Sequence, residues 1–151
     1  KKNNKRKHNE ATKMIEISAA GFIIFRKLES NKIVYLGLIA LPEFQNKNNG
    51  IYDIPKGRID LGEMPLETAV REAKEEAGID ITHLDSGPFT YDRMTLWLAE
   101  SYQKPFIGIN PITGIKEHLG YEWITGEKLE NHCLDYLRPG VIWARNYLGD
   151  I

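Results

Sequence analysis

The sequence predicts an α/β fold in which helices cover a central mixed β-sheet. Two runs rich in β-branched and aromatic residues, 18–26 and 33–41, are apolar almost throughout, which is typical of strands buried on both faces. A later stretch, 66–77, places apolar residues at helical spacing, and the C-terminal segment that ends at residue 148 has the same spacing. Strands followed by a helix, more strands and terminal helices indicate an α/β sandwich.

The two apolar runs are expected to be strands joined by a short polar turn, LESNK. A polar, asparagine-rich loop at 42–50 follows them and leads into a short extended segment at 51–57. In that segment Pro55 biases the preceding residue toward extended backbone, and Gly57 allows the chain to approach another group closely.

An amphipathic helix is predicted over 66–77. Pro65 suits the first helical position because its missing N–H would have no acceptor within the helix. Gly78 can supply the left-handed residue that ends a helix, whereas Met64 is a poor N-cap. The residues expected to form one buried stripe are Leu66, Ala69, Val70, Ala73 and Ala77.

After a connection at 79–87, a hairpin is predicted from 89–91 and 94–100. The second of these segments alternates with a period of two, as a strand does. Residues 102–114 contain two prolines and two glycines and are expected to form a loop before a further strand that begins at Tyr121.

The C-terminal part predicts two short helices, or one broken helix, that cover a face of the sheet. The helical segments span 127–137 and 140–148, and the sequence Arg138-Pro139-Gly140 interrupts them. The apolar residues at helical spacing are Leu134, Leu137, Val141, Ile142 and Tyr147.

Length and composition predict one domain. The chain has 151 residues, of which 42% are hydrophobic and 10% aromatic, enough for one sizeable core. The single cysteine, Cys133, cannot form an intrachain disulfide and is expected to be a structural thiol in a reducing compartment. No apolar run approaches the roughly 20 residues of a membrane helix, so we expect a cytoplasmic protein that does not use a membrane.

Charge is distributed unevenly along the chain. The net charge is −1, but residues 1–13 carry six lysines and arginines against Glu10, which leaves the remainder acidic. We expect residues 1–13 to be a disordered basic arm that could touch nucleic-acid phosphates, or a remnant of an expression tag. Residues 14–151 are expected to form the domain.

Three glutamates of the predicted helix form a candidate metal site. Glu72, Glu75 and Glu76 stand at i, i+3 and i+4, so their carboxylates share one face of the helix. A divalent cation would relieve the repulsion between these like charges, and hard oxygen ligands select Mg²⁺, Ca²⁺ or Mn²⁺ over zinc. The alternative is a solvated surface helix with a run of charge.

Two residues have a predicted supporting role. The loop 57–62 could fold back so that Glu63 pairs with Arg71 and orients the ligands. A carboxylate-held Mg²⁺ suits phosphate chemistry because the cation neutralises phosphate oxygens and activates water. One glutamate that is not fully engaged with the cation could accept the proton of that water, and Glu76 is the first choice.

The spacing of these residues resembles a complete Nudix box. The resemblance implies a Nudix-type α/β/α sandwich with a central mixed β-sheet, and a hydrolase that uses Mg²⁺, with Mn²⁺ as a substitute. It also implies metal binding by Glu72, Glu75 and Glu76, and orientation by Glu63 and Arg71. The matching positions are Gly57, Glu63, Arg71-Glu72-Ala73, Glu75-Glu76 and Gly78-Ile79.

The resemblance extends the predicted metal site beyond the helix. The backbone carbonyl of Lys56 is expected to be a ligand, which leaves the amino group of Lys56 free for phosphate oxygens. Glu117, a loop carboxylate just before a strand, resembles the extra metal-binding glutamate of several Nudix subfamilies. His118 is expected at the substrate edge rather than on the metal, because the cluster offers only oxygen ligands.

A narrower similarity covers roughly residues 18–126. The segments AAGFIIFRK, IPKGRIDLGE, LETAVREAKEEAGI and EHLGYEWI are similar to the dinucleoside tetraphosphate (asymmetrical) hydrolases. That group tends to carry lysines just before the strand that begins here at Met94, so only Arg93 and Thr95 could replace them as polyphosphate contacts. The departure leaves ADP-ribose and the triphosphorylated 5′ end of RNA as alternative substrates, and a noncatalytic nucleotide- or RNA-binding module as a further alternative.

The implied activity is cleavage of the phosphoanhydride of a nucleoside diphosphate linked to another moiety, with dinucleoside polyphosphates as the first candidates. Aromatic side chains at the site could stack on adenine, and Tyr91, near a turn, is the first choice. The residues expected to contact substrate are Lys56, Arg58, Tyr91, Arg93, Thr95, His118 and Tyr121.

Overall fold

A computed structural model describes residues 16–45 and 50–151, so the predicted basic arm at 1–13 lies outside the described residues. Within the described ranges, 3₁₀ turns occupy Glu29–Asn31, Pro42–Phe44 and Asp135–Leu137. None of the helices in this part of the chain has the length and apolar composition needed to cross a bilayer. The strands and α-helices are β1 Ala19–Lys27, β2 Ile33–Ala40, β3 Tyr52–Asp53, β4 Lys56–Arg58, α1 Pro65–Ala77, β5 Ser86–Tyr91, β6 Met94–Glu100, β7 His118–Thr125, α2 Gly126–His132 and α3 Arg138–Leu148.

The strands form one mixed sheet, as predicted. Strand β1 lies parallel to β6 and antiparallel to β2, and β6 continues antiparallel to β5. Strand β2 pairs antiparallel with β7 on one edge. The β5–β6 hairpin is confirmed, and its two turn residues, Asp92 and Arg93, both have positive φ, as a two-residue hairpin turn requires.

The extended segment 52–58 lies between β1 and β2 where these two strands diverge. The strands pair with each other only from Phe25 to Lys27, and beyond that point β3 pairs with β2 while β4 pairs with β1. Gly21 allows this approach, because a Cβ at that position would collide with Pro55 and Lys56. The insertion places Lys56, the first residue of β4, in contact with α1.

Two hydrophobic layers cover the faces of the sheet, which confirms the prediction of strands buried on both sides. Successive residues of β1 point to opposite faces, so Phe22 and Ile24 pack on the α1 side and Ile23 and Phe25 on the other. The layer opposite α1 includes residues of α3 and of the segment before it, namely Leu134, Leu137, Val141 and Ala144.

Helix α1 follows the predicted bounds closely. Pro65 is its first residue, and Gly78, at φ +67°, ends it in the left-handed conformation with its N–H donating to the carbonyl of Lys74. The weak N-cap is compensated because the Glu67 carboxylate accepts a hydrogen bond from the Met64 N–H at 2.9 Å. Val70 was expected in the buried stripe but is 37% exposed, since the contact with the sheet is a narrow row of small side chains, Ala69, Ala73 and Ala77.

The C-terminal prediction is corrected in three respects. The first helix, predicted over 127–137, ends at His132 and is followed by the 3₁₀ turn Asp135–Leu137. Helix α3 begins at Arg138 rather than at Gly140, because Pro139 fits the first helical turn, where its missing N–H removes no helical bond. Of the apolar residues noted at helical spacing, Ile142 and Tyr147 are 38% and 55% exposed, and Ala144 lies in the core instead. The helix therefore packs through a face rotated from the predicted one.

Enlarging Ala73 is expected to destabilise the fold, because this fully buried methyl lies between α1 and the sheet. The variant Ala73→Leu should lower the free energy of unfolding by about 1–3 kcal/mol through overpacking. Lys74→Leu, at the exposed neighbouring position, is the matched control and should change it by no more than about 0.5 kcal/mol. Urea unfolding monitored by circular dichroism measures both, and equal changes would contradict the packing described here.

Candidate functional site

Arg71 is the centre of a charged cluster on the solvent-facing side of α1. Its Nε and Nη2 donate to both carboxylate oxygens of Glu63, at 2.7 and 3.0 Å, which is a bidentate pair. Its Nη1 donates to Glu72 at 2.8 Å and to Glu75 at 3.1 Å. One guanidinium thus ties the loop before α1 to two carboxylates of the helix.

Glu63 is held by more than this pair. It also accepts hydrogen bonds from the Thr68 hydroxyl and, at 3.2 Å, from the Asp60 N–H. The hydrogen bonds from Arg71 and then Thr68 lower the pKa of Glu63 to about 2. The loop therefore folds back onto the helix, and the Glu63–Arg71 contact proposed from the sequence is present.

The three glutamates of α1 divide between two partners. Glu72 and Glu75 share Nη1 of Arg71, whereas Glu76 accepts a hydrogen bond from the backbone N–H of Lys56 at 2.9 Å. Gly57 makes room for this arrangement, because a Cβ at position 57 would collide with the Glu72 carboxylate.

Burial makes two of these carboxylates resist ionisation. Desolvation raises the pKa of Glu72, although Arg71 opposes the shift. Burial, followed by the nearby charge of Asp53, raises the pKa of Glu76 well above its ordinary value. Negative charge on Glu76 is therefore incompletely compensated by the protein.

A second polar cluster is buried behind Glu76. The Asp53 carboxylate, 7% exposed, is 2.9 Å from Nε2 of His118 and 3.2 Å from Nζ of Lys56. Burial would raise the pKa of Asp53, but Lys56 and His118 outweigh it and lower that pKa. Burial likewise opposes the charge on Lys56, yet the attraction of Asp53 raises the pKa of Lys56 above its ordinary value.

Three cavities meet at Lys56. The first, here called the acidic cleft, has a volume of about 530 Å³ and runs along the carboxylates of α1. Its lining includes four charged groups predicted to act together, which are Arg71, Glu72, Glu75 and Glu76, and it also includes Lys56, Arg58 and Glu117.

The second cavity, here called the apolar cavity, lies on the other side of Glu76 and has a volume of about 560 Å³. The third, here called the basic cavity, has a volume of about 430 Å³. The large apolar and aromatic residues of the apolar cavity are Leu41, Phe44, Ile115, Leu134 and Tyr136, and charged residues that include Asp53, Glu76 and Glu117 line its remaining wall. The basic cavity is lined by Arg58, Tyr91, Arg93 and Tyr136, and Lys56 lines both.

Glu117 lies on a loop between the acidic cleft and the apolar cavity. Asn110 holds it, because the Asn110 side-chain amide donates to the Glu117 carboxylate at 2.8 Å. The Asn110 side-chain oxygen accepts hydrogen bonds from the backbone N–H groups of Ile112 and Thr113. One asparagine thus fixes both the turn and the carboxylate.

The residues predicted to contact substrate separate into two groups. Lys56, Arg58, Tyr91 and Arg93 line cavities, and His118 borders the acidic cleft and the apolar cavity while its ring bonds Asp53. Tyr91 also donates from its hydroxyl to the Tyr136 carbonyl at 2.9 Å.

Thr95 and Tyr121 are placed elsewhere. Thr95 is 1% exposed, and its hydroxyl accepts from Thr90 within the β5–β6 hairpin, so it offers no group to a ligand in this structure. Tyr121 packs against the core on the α1 side and lines none of the three cavities. Both positions follow from strand alternation, which turned the side chains away from the clefts.

Sequence reasoning missed three residues of the site. Asp53 is one charged residue in the otherwise apolar run Ile51–Pro55, and that interruption was a usable signal. Tyr136, which faces the amino group of Lys56 at 5.4 Å from its ring centroid, and Asn110 carried no local signal. Tyr136 reaches Lys56 through a contact distant in sequence, whereas the contact of Asn110 with Glu117 spans only 7 residues.

The donor set fits a hard divalent cation. The cleft presents carboxylate oxygens from Glu72, Glu75, Glu76 and Glu117. Among the described residues that line it there is no sulfur ligand, and the one imidazole, that of His118, already bonds Asp53. Oxygen-only sites of this kind suit Mg²⁺ and Mn²⁺. The absence of a side chain at Gly57 leaves the Glu72 carboxylate its place at the wall of the cleft.

Elsewhere among the described residues, His83, Asp85 and Glu100 bring potential ligand atoms within 4.8 Å of one another. Both carboxylates of this group already have protein donors. Asp85 accepts from the Glu100 N–H at 2.7 Å, and Glu100 accepts from the Tyr102 hydroxyl at 2.7 Å. These hydrogen bonds explain why the three side chains lie together at the edge of the β5–β6 hairpin.

Replacing Glu76 with glutamine is expected to stabilise the metal-free protein at neutral pH. Because burial raises the pKa of Glu76 above its ordinary 4.5, wild-type stability should fall, relative to Glu76→Gln, as the pH rises from 4.5 through the raised pKa. Well below pH 4.5 the carboxyl is neutral in both the folded and the unfolded protein, so the difference should level off toward the acid end of the range. Urea unfolding in EDTA between pH 4 and 8 measures it, and a difference independent of pH across that range would contradict the shift.

Three comparisons with known proteins bear on the site. The NUDIX domain family matches residues 18–142 of this chain. Bis(5′-nucleosyl)-tetraphosphatase (asymmetrical) of Sus scrofa is 41% identical over 75 residues, which are 45% of this chain and 46% of that protein. The NAD-capped RNA hydrolase NudC of Escherichia coli O157:H7 is 32% identical over 90 residues, 56% of this chain and 33% of that protein.

A solved structure is similar over most of the chain. The binary complex of an Ap4A hydrolase from C. elegans superposes with a TM-score of 0.67 at 24% sequence identity and covers 89% of this chain and 99% of that one. This likeness concerns the fold. The chain spans less than half the length of either of these curated relatives, so the sequence similarity concerns a part of each protein.

Proposed function

The chain belongs to the NUDIX domain family, and from this premise we propose that it is a Mg²⁺-dependent pyrophosphohydrolase. It would cleave the phosphoanhydride of a nucleoside diphosphate linked to another moiety, with dinucleoside polyphosphates as the first candidates. The observation that carries the proposal is the array of Glu63, Glu72 and Glu75 around one arginine, with Glu76 beside it, along the wall of the acidic cleft.

Glu72, Glu75 and Glu76 would hold the cation, with Glu117 and the Lys56 carbonyl as further oxygen ligands. A bound Mg²⁺, or Mn²⁺ in its place, would neutralise phosphate oxygens and lower the pKa of a water molecule. The protein's incomplete compensation of Glu76 supports this assignment, because a cation would supply the missing positive charge.

The roles of the protein groups follow from their contacts. Arg71, fixed by the bidentate pair with Glu63, orients the carboxylates of Glu72 and Glu75. Glu76 is the first choice to accept the proton of the attacking water, through an oxygen that is not engaged with the cation.

The cations around the cleft would bind the phosphate chain. Lys56 borders all three cavities, and Arg58 borders the acidic cleft and the basic cavity. Arg93, at the far side of the basic cavity, is 61% exposed in its side chain and would be available to a longer polyphosphate. Similarity to the tetraphosphatase of Sus scrofa supports the choice of a dinucleoside tetraphosphate as the first substrate to test.

The test is product analysis with the purified chain. Ap4A and Mg²⁺ should give AMP and ATP on anion-exchange chromatography, with ¹⁸O from labelled water in one product, and EDTA should abolish turnover. ADP-ribose in the same assay tests the alternative small substrate. Absence of product from the whole panel, with nucleotide binding retained in the presence of Mg²⁺, would overturn the hydrolase and favour a noncatalytic binding module.

A second candidate is hydrolysis at the triphosphorylated 5′ end of RNA. The six lysines and arginines of residues 1–13 and the similarity to an NAD-capped RNA hydrolase favour it. Deleting residues 1–13 should then weaken turnover of triphosphorylated RNA, most strongly at low salt, and leave Ap4A turnover unchanged. Equal effects on both substrates would count against RNA.

We also infer a reducing, cytoplasmic location from the single cysteine. Cys133 is fully buried, and burial raises the pKa of its thiol to about 11, which keeps it protonated and unreactive.

A further inference from the structure

Asp53 is a buried carboxylate at the centre of the site to which the hydrolytic scheme gives no role. It is 7% exposed and lies at the end of β3, in the segment inserted between β1 and β2. Three donors surround it: the Ile54 N–H at 2.8 Å, Nε2 of His118 at 2.9 Å and Nζ of Lys56 at 3.2 Å.

A buried charge of this kind is a poor means of stabilising a fold. The desolvation of an ion pair often offsets its attraction, and apolar side chains of similar volume serve a core equally well. Asp53 also lies close enough to Glu76 to disfavour the charged form of that carboxylate. The reason for its presence therefore lies in the side chains that it holds in place.

The backbone of Lys56 is already fixed without Asp53. The Lys56 N–H donates to Glu76 at 2.9 Å, and the preceding carbonyl, of Pro55, accepts from the Phe22 N–H at 3.0 Å. What remains free is the side chain, whose four-carbon stem has many rotamers. Asp53 on one side and the ring of Tyr136 on the other restrict the ammonium group to one position.

That position is the junction of the three cavities. Lys56 lines the acidic cleft, the apolar cavity and the basic cavity, and its side chain is 17% exposed. His118, the second partner of Asp53, directly follows Glu117 and pairs with Ala40 of β2. Asp53 thus connects the side chain of Lys56 with the start of β7.

We propose that Asp53 is a positioning residue, which holds the ammonium group of Lys56 at the junction of the three cavities so that it meets the phosphate chain of the substrate. This role rests on the proposed function, because Lys56 is assigned there to phosphate binding. Asp53 lines the apolar cavity, and in this role it acts through the ammonium group of Lys56 rather than by binding substrate or cation itself.

A double-mutant cycle tests the role. Asp53→Asn keeps the size of the side chain and the acceptor for the Ile54 N–H but removes the charge that holds Lys56. It should lower kcat/KM about tenfold, mainly through KM, as expected for one charge-assisted hydrogen bond. In the background of Lys56→Met the same change should alter kcat/KM less than twofold. Equal losses in both backgrounds would overturn the role, since they would indicate a general effect on the fold.

A measurement on the wild-type protein tests the same role without requiring that a variant folds. Nuclear magnetic resonance of ¹⁵N-labelled side chains reports hydrogen exchange of lysine ammonium groups. The ammonium protons of Lys56 should exchange more slowly than those of Lys74, whose pair with Asp80 at 3.1 Å is exposed. Equally fast exchange at both lysines would overturn the role of Asp53. An inactive wild type would overturn the proposed function instead, and the exchange result would still decide whether Asp53 restrains Lys56.

Discussion

Glu76→Gln is expected to lower kcat by about 10²–10⁴-fold, the range attributed to a positioned acid or base. Glu76 is the partly buried carboxylate whose charge the protein compensates least, because both burial and Asp53 oppose it. Glutamine keeps the size of the side chain and an oxygen acceptor for the Lys56 N–H. The loss should therefore reside in turnover, with the fold intact.

Steady-state kinetics with Ap4A, together with circular dichroism, measures this effect. Glu67→Gln is the matched control, because Glu67 lies on the same helix but caps its first turn and lines none of the three cavities. The control should keep kcat within about twofold of wild type. Near-normal turnover of Glu76→Gln would show that Glu76 takes part in neither metal binding nor proton transfer.

Arg71→Ala is expected to reduce both stability and activity. Removing the guanidinium leaves Glu63, Glu72 and Glu75 without their common partner, and the unpaired carboxylates should lower the free energy of unfolding by about 3 kcal/mol. The released carboxylates should also lose their orientation, which should lower kcat/KM about 100-fold.

The conservative variant separates charge from geometry. Arg71→Lys keeps the positive charge but cannot reproduce the bidentate contact with Glu63 at 2.7 and 3.0 Å, so it should recover stability more than activity. Lys74→Ala, on the same helix with an exposed partner, should change stability by no more than about 0.5 kcal/mol. Urea unfolding and steady-state kinetics on the three variants provide the comparison. Full activity of Arg71→Lys would show that the bidentate contact with Glu63 is not needed to orient the carboxylates.

The paired acids and arginine of α1 were predictable because their relation is local. Residues three and four apart on a helix share a face, so the spacing of Glu72, Glu75 and Glu76 already places their carboxylates together. The Glu63–Arg71 pair also spans only eight residues. The strands flanking this helix were predictable for the same reason, since alternation and β-branched composition are properties of short segments.

The substrate-facing residues were less predictable. Thr95 and Tyr121 were expected at the site, but the registers of β6 and β7 direct them into the hairpin and toward the core on the α1 side. A change of register by one residue moves every side chain of a strand to the opposite face of the sheet. The register is fixed by pairing with other strands. A list of polar and aromatic residues near turns cannot contain that information.

By itself the sequence determined the fold class, the family and the charged helix, because each depends on periodicity or spacing within about 20 residues. Only the tertiary structure decided how the short segment 52–58 lies between β1 and β2, and that placement brings Asp53 to His118, which is 65 residues away. The physical reason is that burial of a charge is set by which elements pack around it, and contacts between distant segments leave no periodic trace in the chain.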